Sequence, residues 1–338
     1  MSIHVDSVED VGTILERLRA SRQSSGDAGA ARVATMNFVV FIDDPAHRAW
    51  VLERAERVAE KHPSRLIVLD STEATDGVDF STSTREQGGM SVTSERVDVG
   101  VSKLGFAAIH SLVQELSAPD VPTVLWWSGA RLLVSRTFSG LAQSAVTVLV
   151  DSSGKVRGEE TIRELGEFLL RFPEVALKDL AFMRLYSWQD MIAQFFDDPA
   201  LREDLFSIEA LEIESGSDAE ALYLAGWLGS RLSWEPLAKD AFRDPRGKTI
   251  TFKRIDKGDQ RRVLSVVLRA RGSSYRAALS DADANVVTLS VEGAKAKPVQ
   301  YVPLQNIANT SLIERAILQS GHDQIFETSL STVRGLLE

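Results

Sequence analysis

Short apolar segments alternate with helix-like segments along the first half of this 338-residue chain. Apolar runs predict strands at residues 33–42, 65–69, 96–101, 121–126 and 147–150. Helical spacing predicts helices at residues 8–21, 106–116, 138–145 and 159–171. One further helix is predicted to start after Asp43 or Asp44, with Pro45 in its first turn. This alternation predicts a layered α/β sheet, in which ligands bind beyond the carboxyl ends of the strands.

The second half of the chain has a different pattern. Strands are predicted at residues 207–213, 250–255, 262–270, 274–280 and 285–291, and helices from Ser187, at 219–232 after an Asp218 cap, at 311–320 and at 322–337. Short polar connections favour antiparallel pairing, and alternating apolar residues in the last strand predict a sheet with one solvated face. Gly226 and Gly229 inside a helix indicate close approach by a neighbouring element. We therefore predict an N-terminal layered α/β domain over residues 1–200 and a C-terminal α+β domain with a mainly antiparallel sheet over residues 201–338.

Charge and composition exclude several functions. The formal net charge of −10 disfavours binding to nucleic-acid phosphates and to anionic membranes. No apolar run approaches the ~20 residues that cross a bilayer, and the acidic N-terminus does not resemble a signal peptide, so a cytoplasmic protein is predicted. The chain has no cysteine, which excludes disulfides, zinc–thiolate sites and any thiol-based redox partner acting on this chain.

No catalytic or cofactor motif stands out. The glycines do not form a dinucleotide fingerprint, and Gly88 and Gly89 fall in a predicted polar loop at residues 72–91. The five histidines are scattered without the spacing of a metal site; they are His4, His47, His62, His110 and His322. His62 lies at the amino end of a strand, which is the wrong end for the usual α/β site. We therefore predict no catalytic residue, no metal and no cofactor.

The segment WWSGAR, residues 126–131, follows a predicted strand. Trp126, Trp127, Ser128 and Arg131 could together grip a sugar or a phosphate. Tryptophans of this kind more often pack in a core or in a protein interface, where Trp and Arg are enriched. Both interpretations remain open on the residues alone.

Several motifs together resemble one family. The segment DLAFMRLYSWQDMIAQFFD, residues 179–197, resembles the signature segment of the OpcA family, the glucose-6-phosphate dehydrogenase assembly proteins. AGWLGSRLSW at residues 225–234 is similar to a helix in that family's second half, and VPTVLWWSG and HPSR also match in order. The resemblance covers about residues 32–234. Within these motifs, Arg184, Trp188, Phe196, Trp227 and Arg231 are candidate partner contacts.

The resemblance implies a binding function. OpcA-family proteins bind glucose-6-phosphate dehydrogenase, promote its active oligomer and raise its activity as allosteric activators, and so supply NADPH through the oxidative pentose phosphate pathway. Cyanobacterial members are linked to thioredoxin, which this cysteine-free chain cannot use in the same way. The alternative is a sugar-phosphate-binding sensor or enzyme that uses the WWSGAR loop. The aromatic stripe around Trp188 also has two interpretations, since such stripes are usually core; the exposure of Trp188 and Phe196 discriminates between them.

Overall fold

A computed structural model describes residues 2–3, 16, 34–72, 77–87, 90–129, 135–153, 158–238, 240–258, 262–305, 307–319 and 321–338. The chain divides into two compact units. The first comprises residues 1–150, 172–178 and 313–321, and the second comprises residues 151–171, 179–312 and 322–338. Residue 200, the predicted domain boundary, therefore lies within the second compact unit. That two independently folding domains meet there stays a prediction. The helix predicted at residues 8–21 lies outside the described residues apart from Glu16.

The first unit is built on an eight-stranded sheet with the order β1-β4-β5-β3-β2-β6-β7-β8. Its strands are β1 (Ser2–Ile3), β2 (Met36–Ile42), β3 (Ser64–Asp70), β4 (Val78–Gln87), β5 (Met90–Gly100), β6 (Thr123–Trp127), β7 (Thr147–Val150) and β8 (Ala176–Asp179). Neighbours from β5 to β7 pair in parallel. Every residue of β2 is buried, as expected for a central parallel strand. The order from β5 to β8 is that of a Rossmann-type sheet, so the predicted α/β architecture is confirmed.

Three helices of this unit were predicted from apolar spacing and caps. They are α1 (Pro45–Lys61), α2 (Phe106–Leu116) and α3 (Arg136–Gln143). Asp44 caps α1, and the predicted stripe of Val51, Ala55, Val58 and Ala59 is buried. These local signals were therefore sufficient to place α1 correctly.

The predicted polar loop at residues 72–91 was wrong. Most of that segment forms β4 and the start of β5, which pair antiparallel from Val78↔Val99 to Gln87↔Met90. The segment is polar, but it contains Thr, which is enriched in strands. The pairing with β5 supplies the backbone hydrogen bonds that composition alone could not predict. Gly88 and Gly89 lie outside the described residues.

The second unit contains another eight-stranded sheet, with the order β10-β11-β12-β9-β13-β14-β15-β16. Its strands are β9 (Ile208–Ser215), β10 (Glu235–Ala238), β11 (Ala241–Arg243), β12 (Thr249–Asp256), β13 (Val263–Ala270), β14 (Ser273–Leu279), β15 (Val286–Gly293) and β16 (Lys297–Pro303). All neighbours pair antiparallel except β12 and β9, which are parallel. The mainly antiparallel sheet was predicted, whereas β10, β11 and β16 were missed.

The helices of this unit are α4 (Gly158–Arg171), α5 (Leu180–Met183), α6 (Tyr186–Gln194), α7 (Pro199–Arg202), α8 (Asp218–Leu232) and α10 (Gln324–Leu337). A 3₁₀ turn covers Glu203–Ser207, and α9 (Asn309–Leu318) begins in this unit.

Two predicted caps were wrong. Ser217, not Asp218, caps α8 by accepting from the Glu220 N–H. Helix α6 begins at Tyr186, and Ser187 lies inside it, where its hydroxyl donates to the Gln305 carbonyl.

The glycine prediction in α8 is confirmed. A Cβ atom on Gly226 would lie 2.5 Å from the Ser329 carbonyl oxygen, and one on Gly229 would lie 3.0 Å from the Thr332 side chain. Both contacts are with α10, so the glycines allow the two helices to pack closely. Among the described helices, none is long and apolar enough to cross a membrane.

Candidate functional site

The carboxyl end of the first unit's sheet is where this fold places ligands. Strand β2 ends at Ile42, and the chain enters α1 through Asp43, Asp44 and Pro45. The Asp44 carboxylate accepts a hydrogen bond from the Ala46 N–H at 2.9 Å, and its other oxygen lies 2.6 Å from His47 Nδ1. The hydrogen bond with His47 and then the one from Ala46 hold the pKa of Asp44 below its usual value. At neutral pH a negative charge therefore stands at the N-terminus of α1.

The neighbouring strand β3 ends in a second carboxylate, Asp70. Its side chain is 1% exposed and accepts from Arg48 Nε at 2.6 Å. Its other oxygen accepts from the Thr72 N–H and hydroxyl at 2.9 and 2.6 Å. Asp70 holds the place at which a Rossmann-type sheet offers an acid to a cofactor ribose. Here that acid is engaged by Arg48 and Thr72.

These residues do not fit a dinucleotide. A pyrophosphate binds at the helix N-terminus after the first strand, on free backbone N–H groups reached through a glycine-rich turn. In this chain the Asp44 carboxylate takes the Ala46 N–H, and Pro45 has no N–H to donate. The phosphate would also meet the negative charge of Asp44 directly. The sheet has the strand order of a dinucleotide-binding fold, but the turn between β2 and α1 would repel the phosphates of a dinucleotide.

The tryptophans of the WWSGAR segment are packed inside the first unit. Trp126 and Trp127 are 1% and 2% exposed. Being consecutive in β6, they point to opposite faces: Trp126 meets Trp50 of α1 edge-on, and Trp127 stacks on Phe41 with ring centroids 3.9 Å apart. Neither ring offers a flat surface to solvent. Ser128 is half-buried, and Arg131 lies outside the described residues, so a ligand role for this segment stays a prediction.

The signature segment contributes to a buried polar cluster in the second unit, which we call the Arg184 cluster. Its members are Asp151, Ser153, Asp179, Arg184, Glu220, Tyr223 and Asn309. Arg184 binds both carboxylate oxygens of Asp151, at 3.0 and 2.5 Å, and also donates to Ser153 at 3.0 Å and Asn309 at 3.2 Å. One guanidinium thus joins distant segments of the chain, which is the geometry that arginine, not lysine, provides.

A second branch of the Arg184 cluster is centred on Asp179. Its carboxylate accepts from the N–H groups of Ser152 and Ala181, at 3.1 and 2.9 Å, and from the Tyr223 hydroxyl at 2.8 Å. Burial and the nearby Asp151 charge nevertheless raise the pKa of Asp179. Burial, followed by the Asp179 charge, raises the pKa of Tyr223 as well.

Glu220 is the most perturbed carboxyl group in this cluster. It is 2% exposed, and its Oε1 atom has no hydrogen-bond partner within the described structure. Arg184 Nη1 lies 3.9 Å away. Burial raises the pKa of Glu220 to about 8, against the favourable charge of Arg184. Asp151 behaves differently: burial opposes its ionisation, but Arg184 holds its pKa below the usual value. The cluster therefore combines one tight ion pair with a carboxyl group whose ionisation is opposed by burial.

The remaining candidate residues are scattered across the second unit. Trp188 and Phe196 are 4% and 6% exposed, which favours the core interpretation of the aromatic stripe. Trp227 is half-buried and Arg231 is exposed, so these two have surface available for a partner. Sequence reasoning missed Asp151, Glu220 and Tyr223. The sequence offered one signal, for Glu220, which is an acid in the first turn of α8, a helix rich in Gly and Leu.

The fold and the site together define a class of protein with a Rossmann-type unit and a second unit that has a mainly antiparallel sheet. In the first unit, the turn after β2 does not have the features that bind a dinucleotide phosphate. Two family models match the chain. Residues 55–167 match the glucose-6-phosphate dehydrogenase subunit N-terminal domain, and residues 175–330 match the corresponding C-terminal domain. The chain belongs to the OpcA family.

Curated relatives agree with this family. The chain is 28% identical over 268 residues to the OxPP cycle protein OpcA of Synechococcus elongatus, covering 72% of this chain and 59% of that protein. It is 26% identical over 313 residues to the protein of the same description from Synechocystis sp., covering 84% and 66%. The matched region thus spans 59% and 66% of the length of these two relatives.

The fold also resembles that of solved reductases. A mutant of KijD10, a 3-ketoreductase from Actinomadura kijaniata in complex with TDP-benzene and NADP, aligns with a TM-score of 0.51 at 12% identity, covering 89% of this chain and 95% of that one. At this level of identity the likeness concerns the fold alone. It is consistent with the strand order of the first unit.

Proposed function

We propose that this chain is a non-catalytic partner of glucose-6-phosphate dehydrogenase that favours the active oligomer of that enzyme and raises its activity. The partner is suggested by the descriptions of the two matching family models. The absence of catalysis is suggested by one observation, the occupation of the α1 N-terminus by the Asp44 carboxylate. A dehydrogenase needs that position for its cofactor.

The mode of action is linkage. A protein that binds the assembled dehydrogenase more tightly than its free subunits shifts the assembly equilibrium by the difference in binding free energy. Such an activator needs a rigid surface and no reactive group. The extensive packing around Trp188, Phe196 and the Arg184 cluster is consistent with a rigid support.

The test is co-purification with glucose-6-phosphate dehydrogenase from the same cell. We expect the two proteins to co-elute, the dehydrogenase oligomer to become larger or more stable, and its activity or apparent substrate affinity to rise. The chain alone should neither oxidise glucose 6-phosphate nor bind NADP⁺ in equilibrium dialysis. If the two proteins do not co-elute and the kinetics of the dehydrogenase do not change, the proposal is wrong. Turnover of glucose 6-phosphate by the chain alone would contradict its non-catalytic part.

A matched pair of variants locates the contact. Arg231 and Arg246 are both exposed arginines of the second unit, but only Arg231 lies in a family motif. If Arg231 is an anchor, Arg231→Ala should weaken binding by about 2 kcal/mol, or roughly thirtyfold in Kd. Arg246→Ala should leave Kd unchanged. Equal Kd values for the two variants would remove Arg231 from the interface.

A further inference from the structure

A cavity with a volume of about 340 Å³ lies between α2 and α3, over the amino end of the first unit's sheet. We call it the α2–α3 pocket and define it by six of its lining residues, Val39, Val113, Gln114, Leu125, Leu141 and Ser144. All six belong to the first compact unit. Ligand pockets of proteins have volumes of roughly 300–1,000 Å³, so this cavity has the size of a small-molecule site. The turn before α1 lies at the other end of the strands, so the two sites are separate.

The interior of the α2–α3 pocket is apolar. Val39 of β2 and Leu125 of β6 are opposed in the sheet register and provide the floor. Val113 of α2 and Leu141 of α3 provide the walls. None of these four residues is more than 4% exposed, so the inner end of the pocket is shielded from bulk water. An apolar cavity of about 150 Å³ stays dry and binds benzene, and this cavity has more than twice that volume.

The mouth of the α2–α3 pocket is polar but uncharged. Gln114 and Ser144 are exposed, and Thr123 is half-buried. The Gln114 amide and the two hydroxyl groups can each donate and accept hydrogen bonds. Among the described residues that line the pocket, none carries a charge. An ionised ligand would therefore lose its water of hydration without gaining a counterion, which is costly, whereas a neutral ligand would not.

Hydrogen bonds fix two sides of the α2–α3 pocket. The Asn37 side chain is 1% exposed, accepts from the Ala118 N–H at 2.7 Å, and donates to the Ala118 carbonyl at 3.1 Å and the Thr123 hydroxyl at 3.3 Å. These bonds hold the segment between α2 and β6, which lines the pocket, against β2. On another side, His110 Nε2 of α2 lies 3.2 Å from the Ser144 hydroxyl at the end of α3. The pocket is therefore bounded by fixed groups, as ligand sites that are largely pre-formed are.

We propose that the α2–α3 pocket binds a small neutral molecule that has a compact apolar body and one hydrogen-bonding group. The apolar body lies between Val113 and Leu141, and the polar group faces Gln114 or Ser144 at the mouth. Sugar phosphates, nucleotides and carboxylates do not fit this description, because the lining offers them no cation. The net charge of −10 disfavours such anions further. Binding of a small molecule here is independent of the proposed function, which concerns a protein partner.

Benzyl alcohol and benzoate are matched probes, since each joins one ring to one polar group and only benzoate is charged. Each is titrated into the full chain while the methyl NMR signals of Val39, Val113, Leu125 and Leu141 are followed. We expect benzyl alcohol to shift these four signals along one saturating curve, and benzoate to bind at least about tenfold more weakly. The absence of a saturable shift at these methyl groups would overturn the site. Equal affinity for the two probes would overturn the class of ligand.

Three variants locate the bound probe. Ser144→Trp places a large side chain at the mouth and should weaken benzyl alcohol binding by roughly tenfold or more. Ser144→Ala removes the contact with His110 without filling the pocket, so it should keep wild-type binding. Gln143→Trp adds the same ring at the neighbouring exposed residue, outside the lining, and should leave Kd unchanged.

A folded Ser144→Trp variant that binds as tightly as wild type, or an equal loss in Gln143→Trp, would place the probe elsewhere and contradict the proposal. If Ser144→Trp does not fold, the methyl shifts of the wild-type chain still decide between the outcomes. Co-elution with glucose-6-phosphate dehydrogenase is a separate measurement, so failure of the pocket and failure of the proposed function are distinguishable.

Discussion

Asp44 and Asp179 perform the same local task in two different surroundings. Each lies at the carboxyl end of a buried strand, Asp44 two residues after β2 and Asp179 as the last residue of β8. Each caps a helix by accepting from the N–H two residues ahead, at 2.9 Å in both cases. The Asp44 side chain is 41% exposed, and hydrogen bonds lower its pKa. Asp179 is 1% exposed, and burial raises its pKa. The cap is set by local sequence, whereas the charge is set by the surroundings.

The difference has functional consequences. At the start of α1, a stable negative charge in contact with solvent blocks the position that a nucleotide phosphate would need. In the Arg184 cluster, Asp151, Asp179 and Glu220 lie around one arginine. Asp151 is partly exposed, whereas Asp179 and Glu220 are buried, where an unpaired charge is costly. The charge of the first region therefore disfavours a bound phosphate, and the second region joins distant segments of its own unit. The predictions below test this division, from the largest expected effect to the smallest.

Removal of Arg184 should have the largest effect. Arg184→Ala leaves the partly buried Asp151 carboxylate without its counterion and removes the bonds to Ser153 and Asn309. We expect a loss of about 3–5 kcal/mol in the free energy of unfolding, measured by denaturant titration. The side chain of Arg184 is only 23% exposed, so solvent can replace little of this interaction.

Arg184→Lys is the matched control, because it keeps the charge but cannot bind both Asp151 oxygens in the same plane. We expect an intermediate loss for this variant. If both variants unfold at the wild-type denaturant concentration, the Arg184 cluster does not hold the unit together, and the contrast with the α1 turn fails.

Glu220 gives a prediction that depends on pH. The folded chain keeps the Glu220 proton up to a pKa of about 8, whereas an ordinary Glu loses it near 4.5. Between these values the folded state binds more protons than the unfolded state, so stability contributed by this group falls as pH rises. Glu220→Gln removes the titration and should be more stable than wild type by about 4 kcal/mol at pH 8.

The gain from Glu220→Gln should vanish below pH 4.5, where wild-type Glu220 is mostly protonated in both states. Glu203→Gln, which replaces an exposed acid of the same unit, is the control and should give a pH profile parallel to wild type. A Glu220→Gln variant that is destabilised equally at every pH would show that Glu220 is ionised in the folded chain.

Local signals predicted the first region well and the second poorly. The Asp-Asp-Pro start of α1 and the alternation of strands and helices could be read from adjacent residues. The same holds for the close approach at Gly226, although that residue lies in the second unit. The neutral state of Glu220 could not, because it depends on Asp151, Arg184 and burial, which are set by packing between segments far apart in the chain. The β4 segment was missed for a related reason: its pairing with β5 outweighs its polar composition. The burial of Trp188 was one of two stated interpretations, and exposure was needed to choose between them.

The smallest effect is expected at Asp44. Asp44→Ala removes the cap of α1 and should cost about 1 kcal/mol, with the loss disappearing as pH falls through the lowered pKa of Asp44, where the wild-type carboxylate is itself protonated. Asp44→Asn keeps an oxygen acceptor and should cost only a few tenths of the loss expected for Asp44→Ala.

Neither variant should gain NADP⁺ binding in equilibrium dialysis, because Pro45 still lacks an N–H and Asp70 remains bound to Arg48. If Asp44→Ala bound NADP⁺, a single carboxylate would be all that separates this turn from a nucleotide site. If its stability loss matched that of Arg184→Ala, the exposed and buried carboxylates would not differ as their surroundings require.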